Sequence, residues 1–117
     1  MIILYTDLLY QHLKKIVHKC GQITPYLRNL GIERGDRVYY TPDPSMNISL
    51  YLMDQLGNTD FSLRGSRKER IEHLKEKGLK YLMIGDEKIL KKASLKDYTS
   101  KDKKIGEFNG VHIFKVE

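Results

Sequence analysis

The 117-residue chain carries 21 Lys/Arg against 15 Asp/Glu for a net charge of +6, with 40% hydrophobic and 31% charged residues, which is the composition of one ordinary globular domain. The lone cysteine, Cys20, excludes an internal disulfide and any multi-cysteine zinc site. No apolar run reaches the roughly 20 residues that cross a bilayer, and Met1–Leu4 is too short for the core of a signal peptide.

Leu9, Leu13, Ile16 and Cys20 recur at helical spacing and predict a first helix from Thr6 to Cys20, stopped by Gly21. Thr24-Pro25 reads as an N-cap followed by proline in the first helical position, opening a short helix through Leu30 that Gly31 closes. After the turn at Gly35-Asp36, the β-branched and aromatic run Arg37–Thr41 predicts a strand ended by Pro42 and Pro44. Ser45 then caps a helix whose expected inner face is Ile48, Tyr51, Leu52 and Leu56, with Gly57 as its stop. Asp60–Leu63 reads as a short edge strand. Ser66 and Glu69 form a capping box for a helix from Arg67 to Lys77, closed by Gly78. Leu79–Ile84 is apolar throughout, as in a strand covered on both faces, and Asp86 caps a short helix through Lys92. Ser94–Asp97 starts another turn, Thr99–Lys104 is a polar loop, and Asn109-Gly110 predicts a two-residue hairpin between Ile105–Phe108 and Val111–Val116.

The order implies one α/β domain over 1–117, with leading helices 6–30, βα units 36–97 and a hairpin 105–116. Right-handed crossovers between successive strands predict a Rossmann-like three-layer arrangement, with a mainly parallel sheet and a C-terminal antiparallel hairpin at its edge. Leu52 and Leu82 are expected in the core.

In such a sheet a ligand sits beyond the carboxyl ends of the strands. There the chain places Thr41, Asp43, Ser45 and Asn47: a hydroxyl, a carboxylate, a second hydroxyl and an amide beside a helix start, a set suited to an anion or a sugar hydroxyl, although Ser45 and Asp43 read first as caps of the helix with the prolines shaping the loop. Neither G-x-G-x-x-G nor G-x-x-x-x-G-K-[ST] occurs, so no dinucleotide or triphosphate cofactor is expected. His12, His18, His73 and His112 show no metal-ligand spacing, and no metal or catalytic residue is assigned. Cys20 ends an apolar stripe and reads as a small core residue. Tyr39, Tyr51 and Tyr81 fall in predicted elements where core packing is the default; Tyr98 stands beside the lysine-rich loop.

The positive charge is concentrated. Residues 1–63 are balanced, whereas 64–104 hold 14 Lys/Arg against 7 Asp/Glu. Such a stretch suits nucleic acid or anionic lipid, while the interleaved Glu69, Glu72, Glu76, Glu87 and Asp97 are the pattern of a solvated helix face.

The runs Leu30-Gly31-Ile32-Glu33-Arg34-Gly35-Asp36-Arg37-Val38, Pro42-Asp43-Pro44-Ser45-Met46-Asn47-Ile48-Ser49-Leu50-Tyr51-Leu52-Met53, Lys80–Ile84 and Ile105–Phe108 with the closing hairpin resemble the soluble C-terminal domain of Bacteroides-type membrane glycosyltransferases of the dolichyl-phosphate-mannose-protein mannosyltransferase-like family. In relatives an aromatic residue often follows the glycine where this chain has Gly57-Asn58. The resemblance implies a non-catalytic accessory domain on the non-cytoplasmic (periplasmic) side of the membrane. Its partners would be the transmembrane part of the same protein and a glycan or protein acceptor, with no catalytic residue to carry over. A second resemblance, to the N-terminal region of acyl-adenylate-forming ligases, covers the Leu-Gly-Ile-x-x-Gly-Asp-Arg-Val turn and strand and the helix after it; the Ser/Thr/Gly-rich phosphate loop those ligases need is absent. The alternative from charge alone is a free-standing module for nucleic acid or anionic lipid built on 64–104.

Overall fold

The computed structural model describes residue 11 and residues 13–116. The first helix, α1, runs over residues 13–20 and buries Ile16 and Cys20. Its expected start at Thr6, with Leu9, lies outside the described residues. α2 (Thr24–Asn29) has its proline in the first turn, but Thr24 is the first helical residue and not the N-cap. Its hydroxyl donates to the Met53 carbonyl at 2.9 Å, so the residue ties two helices together instead of ending one.

Then follow β1 (Val38–Thr41), α3 (Ile48–Met53), β2 (Gly57–Asn58), α4 (Arg67–Lys75), β3 (Tyr81–Ile84), α5 (Glu87–Leu90), a 3-10 turn (Ala93–Leu95), β4 (Lys104–Phe108) and β5 (Val111–Lys115). They build an α/β domain on one five-stranded sheet in the order β2-β1-β3-β5-β4. The sheet is mixed, which corrects the expectation of a mainly parallel one: β2, β1 and β3 run parallel through six register pairs, and β3–β5 and β5–β4 are antiparallel through eight. The cause lies in the hairpin. Asn109 and Gly110 both take positive φ (50° and 80°), as a tight two-residue turn requires, and β5 pairs with β3 along its whole length. The hairpin thus supplies two strands, while β2 is only two residues long.

Two further expectations change. Asp60–Leu63 is a turn, not a strand: the Leu63 N–H donates to the Asp60 carbonyl at 2.9 Å and Ser62 has φ 56°. Pairing occurs earlier, at Gly57, where a Cβ would fall on the Val38 backbone and only glycine permits the approach. In α3 the inner face is Ser49, Leu50 and Met53; Tyr51 is 84% exposed and Leu56 49% exposed. Asn47 and Asp54, both in left-handed conformation, bound a helix of six residues, too short for Leu56 to share a face with Ile48. Gln55 turns inward instead, its amide donating to the carbonyls of Glu33 at 2.7 Å and Asp36 at 2.6 Å.

α4 carries the full capping box at Ser66 and Glu69. Strand alternation divides the core. Val38, Tyr40, Met83, Val111 and Ile113 pack with residues of α1, α2 and α3; Tyr39, Leu82, Ile84 and Phe114 pack with Ile71, Leu74, Ile89, Leu95 and Tyr98. Leu82 is buried and Leu52 half-buried at the margin of the first cluster. Because β1 leads into α3 on one face and β3 into α5 on the other, the loops leaving these adjacent parallel strands diverge and open a gap between them. Among the described residues, no helix is long and apolar enough to cross a membrane.

Candidate functional site

The carboxyl ends of β1 and β2 hold a hydrogen-bonded clasp around two carboxylates. Asp60 accepts from the Tyr39 hydroxyl, from Thr41 Oγ1 at 2.7 Å and from the Asp43 N–H at 3.2 Å, with Arg67 Nη2 at 3.4 Å. Thr41 Oγ1 in turn accepts from Arg67 Nε at 2.7 Å. Burial first, and then Asp60, raise the Tyr39 pKa, so the phenol stays protonated and donates. Asp43, fully buried, accepts from the Ser45 N–H at 2.8 Å, the Ser45 hydroxyl and the Ser49 N–H at 3.0 Å. Ser45 Oγ accepts from the Ile48 N–H at 3.1 Å, and Thr59 Oγ1 donates to the Ser45 carbonyl at 3.0 Å.

Of the four loop residues singled out from the sequence, the fold brings Thr41, Asp43 and Ser45 together with Asp60 and Arg67. Asn47 is not part of the clasp: it is exposed, in left-handed conformation, and its side chain makes no cap bond. The polar groups of the clasp are occupied by one another and by the α3 backbone. A charged pair this enclosed is a scaffold, since an unmatched partner would carry a large desolvation cost. Ser49 Oγ, also fully buried, has no hydrogen-bond partner among the described residues.

Beside the clasp, the diverging loops after β1 and β3 frame a crevice of about 410 Å³, closed by α1 and lined by Lys15, Lys19, Tyr40, Pro42, Asp86 and Lys88 among others. That volume is in the ordinary range for small-ligand sites, which runs from about 300 to 1,000 Å³. Lys19 Nζ donates to the Gly85 carbonyl at 2.5 Å, drawing α1 over the end of β3. Gly85 has no room for a Cβ, because the Tyr40 hydroxyl packs where it would stand. Asp86 caps α5, accepting from the Lys88 N–H at 2.7 Å. Behind Tyr40 lies the Cys20 thiol, whose pKa burial pushes up to about 11; it is a thiol at neutral pH and no nucleophile. The crevice thus presents cations and two carboxylates, Asp86 and Glu87, to a ligand, with the buried Tyr40 behind them: groups that bind and orient hydroxyls.

His112 bridges elements through α5 and β4. Its Nε2 lies 2.8 Å from Glu87 and its Nδ1 3.2 Å from Glu107, its cross-strand neighbour. Among the described residues, no three His, Cys, Asp or Glu side chains group so as to hold a metal ion. Reading the sequence missed Asp60 and Arg67 as partners of Thr41, and Lys15 and Lys19 as a wall of the crevice, because each pairing is a product of the sheet order. Gly85, directly after a buried strand, is the one local sign of a close approach there. Comparison with known proteins finds no matching family model, no matching curated protein and no matching solved structure.

Proposed function

We propose that this chain is a non-catalytic accessory domain of a membrane-bound glycosyltransferase, standing on the non-cytoplasmic side, and that it positions a glycan or glycan-bearing acceptor in the crevice between β1 and β3. The observation that carries the reading is the crevice itself, preformed where the strand order reverses. The ordered resemblance from Leu30 to the hairpin supports the choice of parent. The two parallel crossovers, with helices on both faces of β1 and β3, support a Rossmann-like three-layer ancestry to which the hairpin was joined. In this reading the clasp of Thr41, Asp43, Ser45 and Asp60 holds the loop so that Pro42 and Tyr40 form one wall. Lys19, Lys88 and Asp86 meet the sugar hydroxyls.

The test is an amide-shift titration with short neutral mannosides. The expected result is movement of the Tyr40, Gly85 and Lys88 amides, weakened in Lys88→Ala and in Lys15→Ala. No change at those amides at millimolar sugar removes the proposal.

A further inference from the structure

A second concavity, of about 520 Å³, lies along the free edge of β2 on the side covered by α4. Cationic and titratable side chains reach it from three parts of the chain: Arg37 just before β1, Arg64 in the loop after β2, and Arg70, His73 and Lys77 along α4 and the turn that follows. The last three are spaced by three and four residues, so they form a single stripe. Asn58 and Ser62 are at the same place.

The acid at the rim, Glu69, is committed to the capping box, its Oε1 accepting from the Ser66 N–H at 3.3 Å and the Ser66 hydroxyl at 3.2 Å. Arg70 Nη2 donates to the Phe61 carbonyl at 3.1 Å, which holds its guanidinium across the loop with other N–H groups still to use. The side chains of Arg37, Arg64, His73 and Lys77 have no hydrogen bond or ion pair among the described residues. Arg28, Arg34 and Arg67, by contrast, each stand beside an acid. Like charges drawn around one concavity repel each other, and an anion placed among them relieves that repulsion.

We infer that this groove binds a phosphate-bearing ligand, a phosphomonoester or a diphosphate. Planar guanidinium groups arriving from separate elements match phosphate oxygens as forked donors, and several cations require a ligand with more than one negative charge. The groove lining contains no Tyr, Phe or Trp, so it lacks the stacking surface that single-stranded nucleic acid uses.

The experiment titrates the full chain with inorganic pyrophosphate while following amide shifts, and in parallel with phosphatidylcholine vesicles containing one-fifth phosphatidic acid. Pyrophosphate is expected to move the Asn58, Ser62 and Arg70 amides, and Arg37→Gln to weaken binding by about tenfold or more. Lys92→Gln, which removes the same charge outside the groove, should leave binding nearly unchanged. Vesicle binding that pyrophosphate displaces and Arg37→Gln abolishes identifies a lipid headgroup as the source of the phosphate. Binding of soluble phosphate without vesicle binding identifies a free one. Absence of shifts at millimolar pyrophosphate overturns the inference. Equal loss in Lys92→Gln does so too. Arg37 is exposed and unpaired among the described residues, so its variant should keep the wild-type melting temperature, which separates lost binding from lost fold.

Discussion

Two charged regions of this domain use the same residue types to opposite ends. In the clasp at the carboxyl ends of β1 and β2, Arg67 and Asp60 stand 3.4 Å apart with Thr41, Tyr39 and Asp43 around them, and the groups are matched from within. In the groove flanking α4, Arg37, Arg64 and Lys77 face a common space with no ion pair among the described residues, and the acid at its rim, Glu69, is held in the α4 capping box. The first arrangement stabilises the fold and has little left for a ligand. The second contributes little to the fold and is open to one. Hydrogen-bond saturation, not charge density, distinguishes scaffold from site.

Substitutions break the comparison in a definite order. Leu82→Ala, which opens a void in the second apolar cluster, should cost about 2–5 kcal/mol in denaturant melts. Asp60→Ala strips the partner from the half-buried Arg67 and from the Tyr39 hydroxyl, and a loss of about 3 kcal/mol is expected by the same measurement. Ser66→Ala removes the α4 cap and should cost about 1 kcal/mol. Arg37→Gln should change stability by no more than about 0.5 kcal/mol, as surface substitutions away from special features do. A large loss from that last variant would erase the distinction between the two regions.

A pH series sharpens the same contrast from the acid side. The Glu33 N–H and then Lys80 hold the Asp36 carboxyl below the usual carboxylate range. A group whose folded pKa is depressed stabilises the native state above its unfolded value, about 3.9 for aspartate, and that stabilisation disappears as pH falls through the lower folded value. Melting temperature should therefore fall with acidification below about pH 4, and less steeply in Asp36→Asn.

What the residues revealed in advance was local. The Ser66–Glu69 box, the Asp86 cap and the Asn109-Gly110 turn depend on groups within three residues of one another, and all three appear in the structure. The phase of α3 was not legible, because the helix is bounded by two left-handed residues, Asn47 and Asp54, that a periodicity does not register. Neither was the weight of antiparallel pairing, since only the completed sheet shows β5 along the whole of β3. For the candidate site, Thr41, Asp43 and Ser45 were visible as a cluster, but Asp60 and Arg67, 19 and 26 residues beyond Thr41, were not. Their arrival decides whether the loop's polar groups are free.

The comparison is tested most directly by placing Asp60→Ala and Arg37→Gln side by side in one pyrophosphate titration, run well below both melting temperatures. Asp60→Ala should bind as the wild type does despite its lowered stability, and Arg37→Gln should bind at least about tenfold more weakly with its stability intact. Pyrophosphate affinity that follows stability in both variants would contradict the division between closed clasp and open groove.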